Sequence, residues 1–150
     1  MRSNHLVRFY DEHCSRAIAK ISGCDKTLME LQAKLTDMYA QVKFAQQDLN
    51  LLWKEIYGKA VFQRDVYAMK RKEALIVSRY NDLQFQVNET RESIRTLIDN
   101  RENLLRLRLH YEKKKKKWEW MSECARKKRI RNQIYKDEQA AEECVAWVTL

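Results

Sequence analysis

Residues 7 to 56 read VRFYDEHCSRAIAKISGCDKTLMELQAKLTDMYAQVKFAQQDLNLLWKEI. Alternating steps of three and four from Val7 reach Tyr10, Cys14, Ala17, Ile21, Cys24, Leu28, Leu31, Leu35, Met38, Val42, Ala45, Leu49, Leu52 and Ile56, and every stop is apolar. The whole chain is only 45% hydrophobic. Independent positions would give such an unbroken run on the order of once in a hundred thousand. A stripe of this spacing is what a helix needs to lie along another helix for its full length. The stretch therefore predicts a rod and not a globule.

Composition agrees. The 150 residues include two glycines and no proline. Proline costs roughly 3 kcal/mol inside a helix and glycine about 1 kcal/mol, so their scarcity suits long uninterrupted helices. Charged residues make up 34% of the chain, enough to clothe the outer faces of a two-helix coil. Turn chemistry every dozen residues, expected of a compact globule, is missing. No run approaches the ~18 apolar residues needed to span a bilayer, and Met1 to His5 lead straight into the heptads without an export signal. Cys14, Cys24, Cys124 and Cys144 show no metal-ligand spacing. Cys14 and Cys24 fall on the stripe as small apolar residues, and a reducing cytosol is the expected compartment. Neither a metal nor a cofactor is expected.

The stripe stops at Ile56, and Gly58 follows where a helix wants a residue of positive φ to close it. Asp65 then stands where an acid favours the first turn of a new helix. A second, less regular stripe runs from Val66 through Met69, Ile76, Tyr80, Leu83, Val87, Ile94, Leu97, Leu104 and Tyr111 to Trp118. Glu73, Thr90, Arg101, Arg108 and Lys115 interrupt it, and Leu105, Leu107 and Leu109 suggest a drift. Folding the arms back about the turn sets Ile56 opposite Val66, Val42 opposite Tyr80, Leu28 opposite Ile94 and Tyr10 opposite Tyr111. In that pairing helix one ends near residue 115 of helix two.

The expected fold is all-α: a long antiparallel two-helix coiled-coil hairpin with an overhanging C-terminal helix, one domain over residues 1–150. Helix one is placed at about 3–57, the turn at about 58–64 and helix two at about 65–143. Gly23 is the one awkward residue, a candidate bend in the first arm.

Charge is concentrated. Between Arg101 and Lys136 the cations outnumber the acids by ten, while the whole chain carries +9. The segment contains Lys113, Lys114, Lys115, Lys116 and Lys117, then Trp118 and Trp120, then Arg126, Lys127, Lys128, Arg129 and Arg131. Three readings stand: a solvated helix end, a nucleic-acid patch, and a surface for a protein of opposite sign. Consecutive lysines point all round a helix, which suits contact on several sides. Tryptophan is enriched at protein contact hot spots, although Trp118 also serves simply to end the stripe. At the turn, Trp53, Tyr57, Phe62 and Tyr67 form an aromatic group that either staples the tip or docks a partner. His5, His13 and His110 are scattered and no phosphate loop is present. A two-helix rod offers no pocket for catalysis, so an enzyme is not expected.

Asp65-Val-Tyr-Ala-Met-Lys-Arg-Lys-Glu-Ala-Leu-Ile-Val77 and Asn81-Asp-Leu-Gln-Phe-Gln-Val87 resemble the start of helix two in the invasion-type members of the type III secretion ATPase central stalk family. The resemblance continues through Leu109-His-Tyr-Glu-Lys-Lys-Lys-Lys-Lys-Trp118 to Glu143; the flagellar counterpart is FliJ. It covers roughly residues 62–143. It implies a hairpin similar to the axle of rotary ATPases, standing in the hexameric secretion ATPase at the cytoplasmic face of the inner membrane. On that resemblance the helix termini enter the ATPase, with Lys113 to Lys117, Trp120, Arg126 to Arg129 and Arg131 as its contact candidates. The turn reaches the cytoplasmic domain of the export gate protein, with Trp53, Tyr57, Phe62 and Tyr67 as contact candidates. Secretion chaperones are further implied partners, and the protein is expected to be a monomer within the complex, without nucleic acid or membrane insertion. A nucleic-acid-binding coiled coil and a coiled-coil chaperone adaptor or scaffold are the alternatives.

Overall fold

The computed structural model describes residues 2–58 and 62–149. Lys59, Ala60 and Val61, part of the expected turn, lie outside the described residues. Two helices make up the chain, α1 (Arg2–Ile56) and α2 (Gln63–Thr149). Among the described residues only Tyr57, Gly58 and Phe62 are not helical, and no strand is present. The fold is an all-α helical hairpin.

The apolar stripe builds α1 as its spacing requires. All of its stops from Val7 to Ile56 are buried or half-buried. Away from the stripe, only Ser3, Leu6, His13 and Asp25 share that status in α1. α1 runs unbroken through Gly23. Its carbonyl accepts a hydrogen bond from Thr27 Oγ1 at 3.0 Å.

At the C-terminal end of α1, Tyr57 N–H donates to the Trp53 carbonyl at 3.0 Å. Gly58 follows with φ of 79°, a left-handed conformation that side chains with a Cβ resist. On the far side, the Phe62 carbonyl accepts from Asp65 N–H at 2.9 Å and Val66 N–H at 3.2 Å, opening α2. Asp65 sits in that first turn, where its charge meets the positive end of the helix dipole.

The chain divides into two compact units: Ile21–Glu102, here the turn unit, and Met1–Lys20 with Asn103–Leu150, here the terminal unit. In the turn unit, Met38 and Val42 of α1 pack with Leu83 and Val87 of α2, and Leu35 and Tyr80 close over them. Val87 is 1% exposed. Each such side chain taken from water contributes about 1.5–3 kcal/mol before its ordering cost. Thr90 is also buried, and its hydroxyl donates to the Gln86 carbonyl at 2.9 Å, so its polarity is satisfied within the helix.

The arms are antiparallel, but their register differs from the sequence expectation by about one helical turn. Gln46 Nε2 donates to Tyr80 Oη at 3.4 Å, and Arg101 Nε donates to Asp25 Oδ1 at 2.5 Å. With Thr90 on Met38 and Arg91 on Tyr39 included, partner numbers in this unit add to about 126–130, not to about 122. Val66 is exposed accordingly, and the inward row of α2 begins at Met69. The first turns of α2 run past the level where α1 ends. That row then continues without drift at three- and four-residue steps to Ser122, while Leu107 and Leu109 face outward.

In the terminal unit, Tyr10 meets Tyr111 with ring centroids 6.2 Å apart, and His13 stacks on Tyr111 at 5.1 Å. Cys14 is buried, and its thiol donates to Glu112 Oε1 at 3.9 Å. The pairing reaches Ser122, whose hydroxyl accepts from Ser3 at 3.2 Å and donates to Asn4 Oδ1 at 3.1 Å. α1 thus extends past residue 115 of α2, as the shifted register requires.

Gly23 offers a direct check. A methyl group added there meets nothing within 4 Å. Gly23→Ala is expected to raise stability by about 0.5–1 kcal/mol through lowered unfolded-state entropy, read as a higher urea midpoint at unchanged slope.

Candidate protein-contact surfaces

The basic segment belongs to the terminal unit, and the spacing of α2 decides what each cation does. The inward row passes through Arg108, Tyr111, Lys115, Trp118 and Ser122. It therefore runs straight through the lysine cluster. Lys114 and Lys115 are half-buried against α1, while Lys113, Lys116 and Lys117 are exposed. Lys115 Nζ lies 2.8 Å from Asp11 Oδ1 and 3.9 Å from Glu119 Oε1. The hydrogen bond to Asp11, then the Asp11 charge, holds the Lys115 ammonium above its ordinary value. Arg108 Nε donates to Glu112 Oε1 at 3.1 Å, so the row stays polar but paired.

Just beyond Ser122, Glu123, Ala125, Arg126 and Arg129 still share a cavity with Ser3, Asn4 and Val7 of α1. Every described residue from Glu123 to Thr149 is exposed. Arg126, Lys127, Lys128, Arg129 and Arg131 lie here, spaced so that successive side chains point about 100° apart and surround the axis. Arg126 Nη2 lies 2.6 Å from Glu123 Oε1. That hydrogen bond lowers the Glu123 carboxyl and raises the Arg126 guanidinium. Trp118 is half-buried at the end of the paired region, whereas Trp120 is 68% exposed and has no packing role there. The same segment carries Ile130, Ile134, Val145, Trp147 and Val148 into water. Trp147 continues the helix, with its indole 81% exposed.

The aromatic group lies in the turn unit. Trp53, Tyr57, Phe62 and Tyr67 are all exposed, Tyr57 at 89% and Phe62 at 82%. Among the described residues no ring pair joins any two of them, so they do not staple the tip by stacking on one another. The aromatic contacts of this chain are made instead by Phe9, Tyr10, His13, His110 and Tyr111 of the terminal unit. Sequence reasoning set Tyr10 opposite Tyr111 but passed over Phe9, His13 and His110 around that pair, although His13 and Phe9 at four-residue spacing on the first arm signalled it.

The four cysteines are free thiols. Among the described residues no helix is long and apolar enough to cross a membrane, and no group of three or more side chains could hold a metal ion. The surfaces on offer are helical and open, with shallow grooves between the arms. Such surfaces suit macromolecular contact.

Lys115 links this geometry to pH. A raised lysine pKa stabilises the fold fully below the ordinary value of 10.5 and loses that contribution as pH climbs through the folded value. Melting temperatures of wild type and Lys115→Met are expected to differ near neutrality, with the gap shrinking above pH 10.5.

The family model described as Salmonella surface presentation of antigen gene type M protein matches residues 1–145. No curated protein matches the chain, and no solved structure does.

Proposed function

The chain belongs to the Salmonella surface presentation of antigen gene type M family, a type III secretion stalk family, and we propose that it serves as the central stalk of a secretion ATPase. It is a type III secretion-associated protein. In the proposed role, the terminal unit inserts in the hexameric secretion ATPase and the turn unit meets the cytoplasmic domain of the export gate protein. The site is the cytoplasmic face of the inner membrane. The protein acts there as a monomer without cofactor, and secretion chaperones are additional partners.

The observation that carries this reading is the segment Glu123–Thr149, helical and solvent-exposed at each of its residues. A groove-binding helix needs one prepared face. A helix ringed by Arg126, Lys127, Lys128, Arg129 and Arg131 suits a partner that surrounds it. Lys113, Lys116, Lys117 and Trp120 extend that surface outward from the paired region, while Lys114 and Lys115 support it from the interface with α1.

The mechanism follows from symmetry. One hairpin inside a six-fold ring cannot make six equal contacts, so each ATPase subunit meets a different face. Contacts that differ between nucleotide states bias those states in sequence, because a ligand shifts an equilibrium only through differential affinity. A coupling of about 1–3 kcal/mol gives a bias of roughly 5- to 150-fold.

Reversing Lys113, Lys116, Lys117, Arg126, Lys127, Lys128, Arg129 and Arg131 to glutamate is expected to abolish ATPase stimulation and secretion. Circular dichroism should show the hairpin retained, since these side chains face water. Unaltered stimulation in a folded variant rules out the proposed ATPase contact.

The tip is tested separately. Trp53→Ala with Phe62→Ala is expected to remove binding to the export gate domain by isothermal calorimetry, with melting temperature shifted by no more than a few degrees. A large drop in melting temperature with gate binding intact assigns the pair to tip stability instead.

A further inference from the structure

The turn unit has an outer groove that neither proposed contact uses. Its floor is Leu52 of α1 and Ile76 of α2, both on the inward rows. Above them stand Leu51, 59% exposed, and Leu75, 72% exposed, on the two walls of the same groove. In a two-helix coil these wall positions ordinarily carry polar residues. Phe44, one heptad before Leu51 and therefore on the same side of α1, is also exposed. An apolar row repeated every seven residues on an outer face is what a third helix reads.

The rims carry opposite charge. Asp48 and Glu55 line the α1 wall and Lys72 lines the α2 wall. Among the described residues none of the three makes an ion pair, so no Glu55–Lys72 bridge closes the groove. The walls stay apart over apolar floor.

We infer that this groove binds one amphipathic α-helix of another protein, lying along α1 and α2 as a third strand. Its anchors are leucine-like residues at i, i+3/i+4 and i+7, seated between Leu51 and Leu75. Lys or Arg on one flank faces Asp48 and Glu55, and Asp or Glu on the other faces Lys72. A second copy of this chain is the poorer occupant. The row from Phe44 to Glu55 is about 16 Å long at 1.5 Å per residue. Two such faces pressed together fall well short of the roughly 800 Å² per partner of a stable interface. A single helix fills the groove and exchanges readily. The inference is independent of the stalk reading, since it uses neither the tip aromatics nor the basic segment.

The test uses two labelled 18-residue helical peptides with the same leucine row, followed by fluorescence anisotropy on the full chain. One peptide has a lysine flank and a glutamate flank; the other has glutamate on both. The mixed-flank peptide is expected to bind at least tenfold more tightly than the all-glutamate one. Asp48→Lys with Glu55→Lys should invert that preference. Leu51→Asp or Leu75→Asp should weaken both peptides at least tenfold with helix content unchanged; Leu51→Gln and Leu75→Gln serve if the aspartates unfold the hairpin. Affinities within twofold of wild type in folded leucine variants, or an uninverted preference, overturn the inference. Light scattering that finds a dimer split by Leu51→Gln also overturns it, by giving the face to a second copy.

Discussion

Among the described residues, the interior of this protein is the contact of the apolar row of α1 against the inward row of α2. Nothing lies behind it: a side chain of α1 that leaves the row is in water, and the half-buried exceptions are few. A core one side chain thick contributes little per residue, so the helices themselves must be cheap to form. The absence of proline and the scarcity of glycine meet that requirement. The same thinness leaves most residues at the surface, where they are free to be chosen for partners and not for folding.

The inward row of α2 is where folding and specificity meet. Thr90, Arg101, Arg108 and Lys115 occupy positions that an ideal coil would fill with leucine or isoleucine. Thr90 satisfies itself on its own helix, and Arg101 and Lys115 reach Asp25 and Asp11 on α1. Exposed ion pairs of this kind add little stability. Their value lies in discrimination, because a slipped alignment leaves a charge against an apolar side chain.

The first arm was legible in the sequence because its stripe has no exception, and a pattern that regular has one physical explanation. Gly58 was equally plain. The alignment of the arms was not, because it rested on assuming that both helices end level at the turn; Met69, not Val66, opens the inward row. The polar interruptions hid the continuity of the second stripe. Arg108, Tyr111, Lys115 and Trp118 keep the same spacing as the apolar positions before them. Following spacing before chemistry would have shown that Lys115 faces α1 and that Leu107 and Leu109 do not. The exposed state of Glu123–Thr149 followed from the length mismatch of the arms, but which side chains meet a partner is not encoded by periodicity, since no partner row exists to impose one.

A helix standing alone in water is marginal, because nucleation is costly and most helical stability in proteins comes from packing one face. For Glu123–Thr149 no described residue is buried or half-buried, so its order and its binding are thermodynamically joined. Any partner that encloses it must also hold it helical, and part of the interaction energy goes to restraining a chain that would otherwise fray. Broad contact and brisk release then coexist in whatever complex the segment forms.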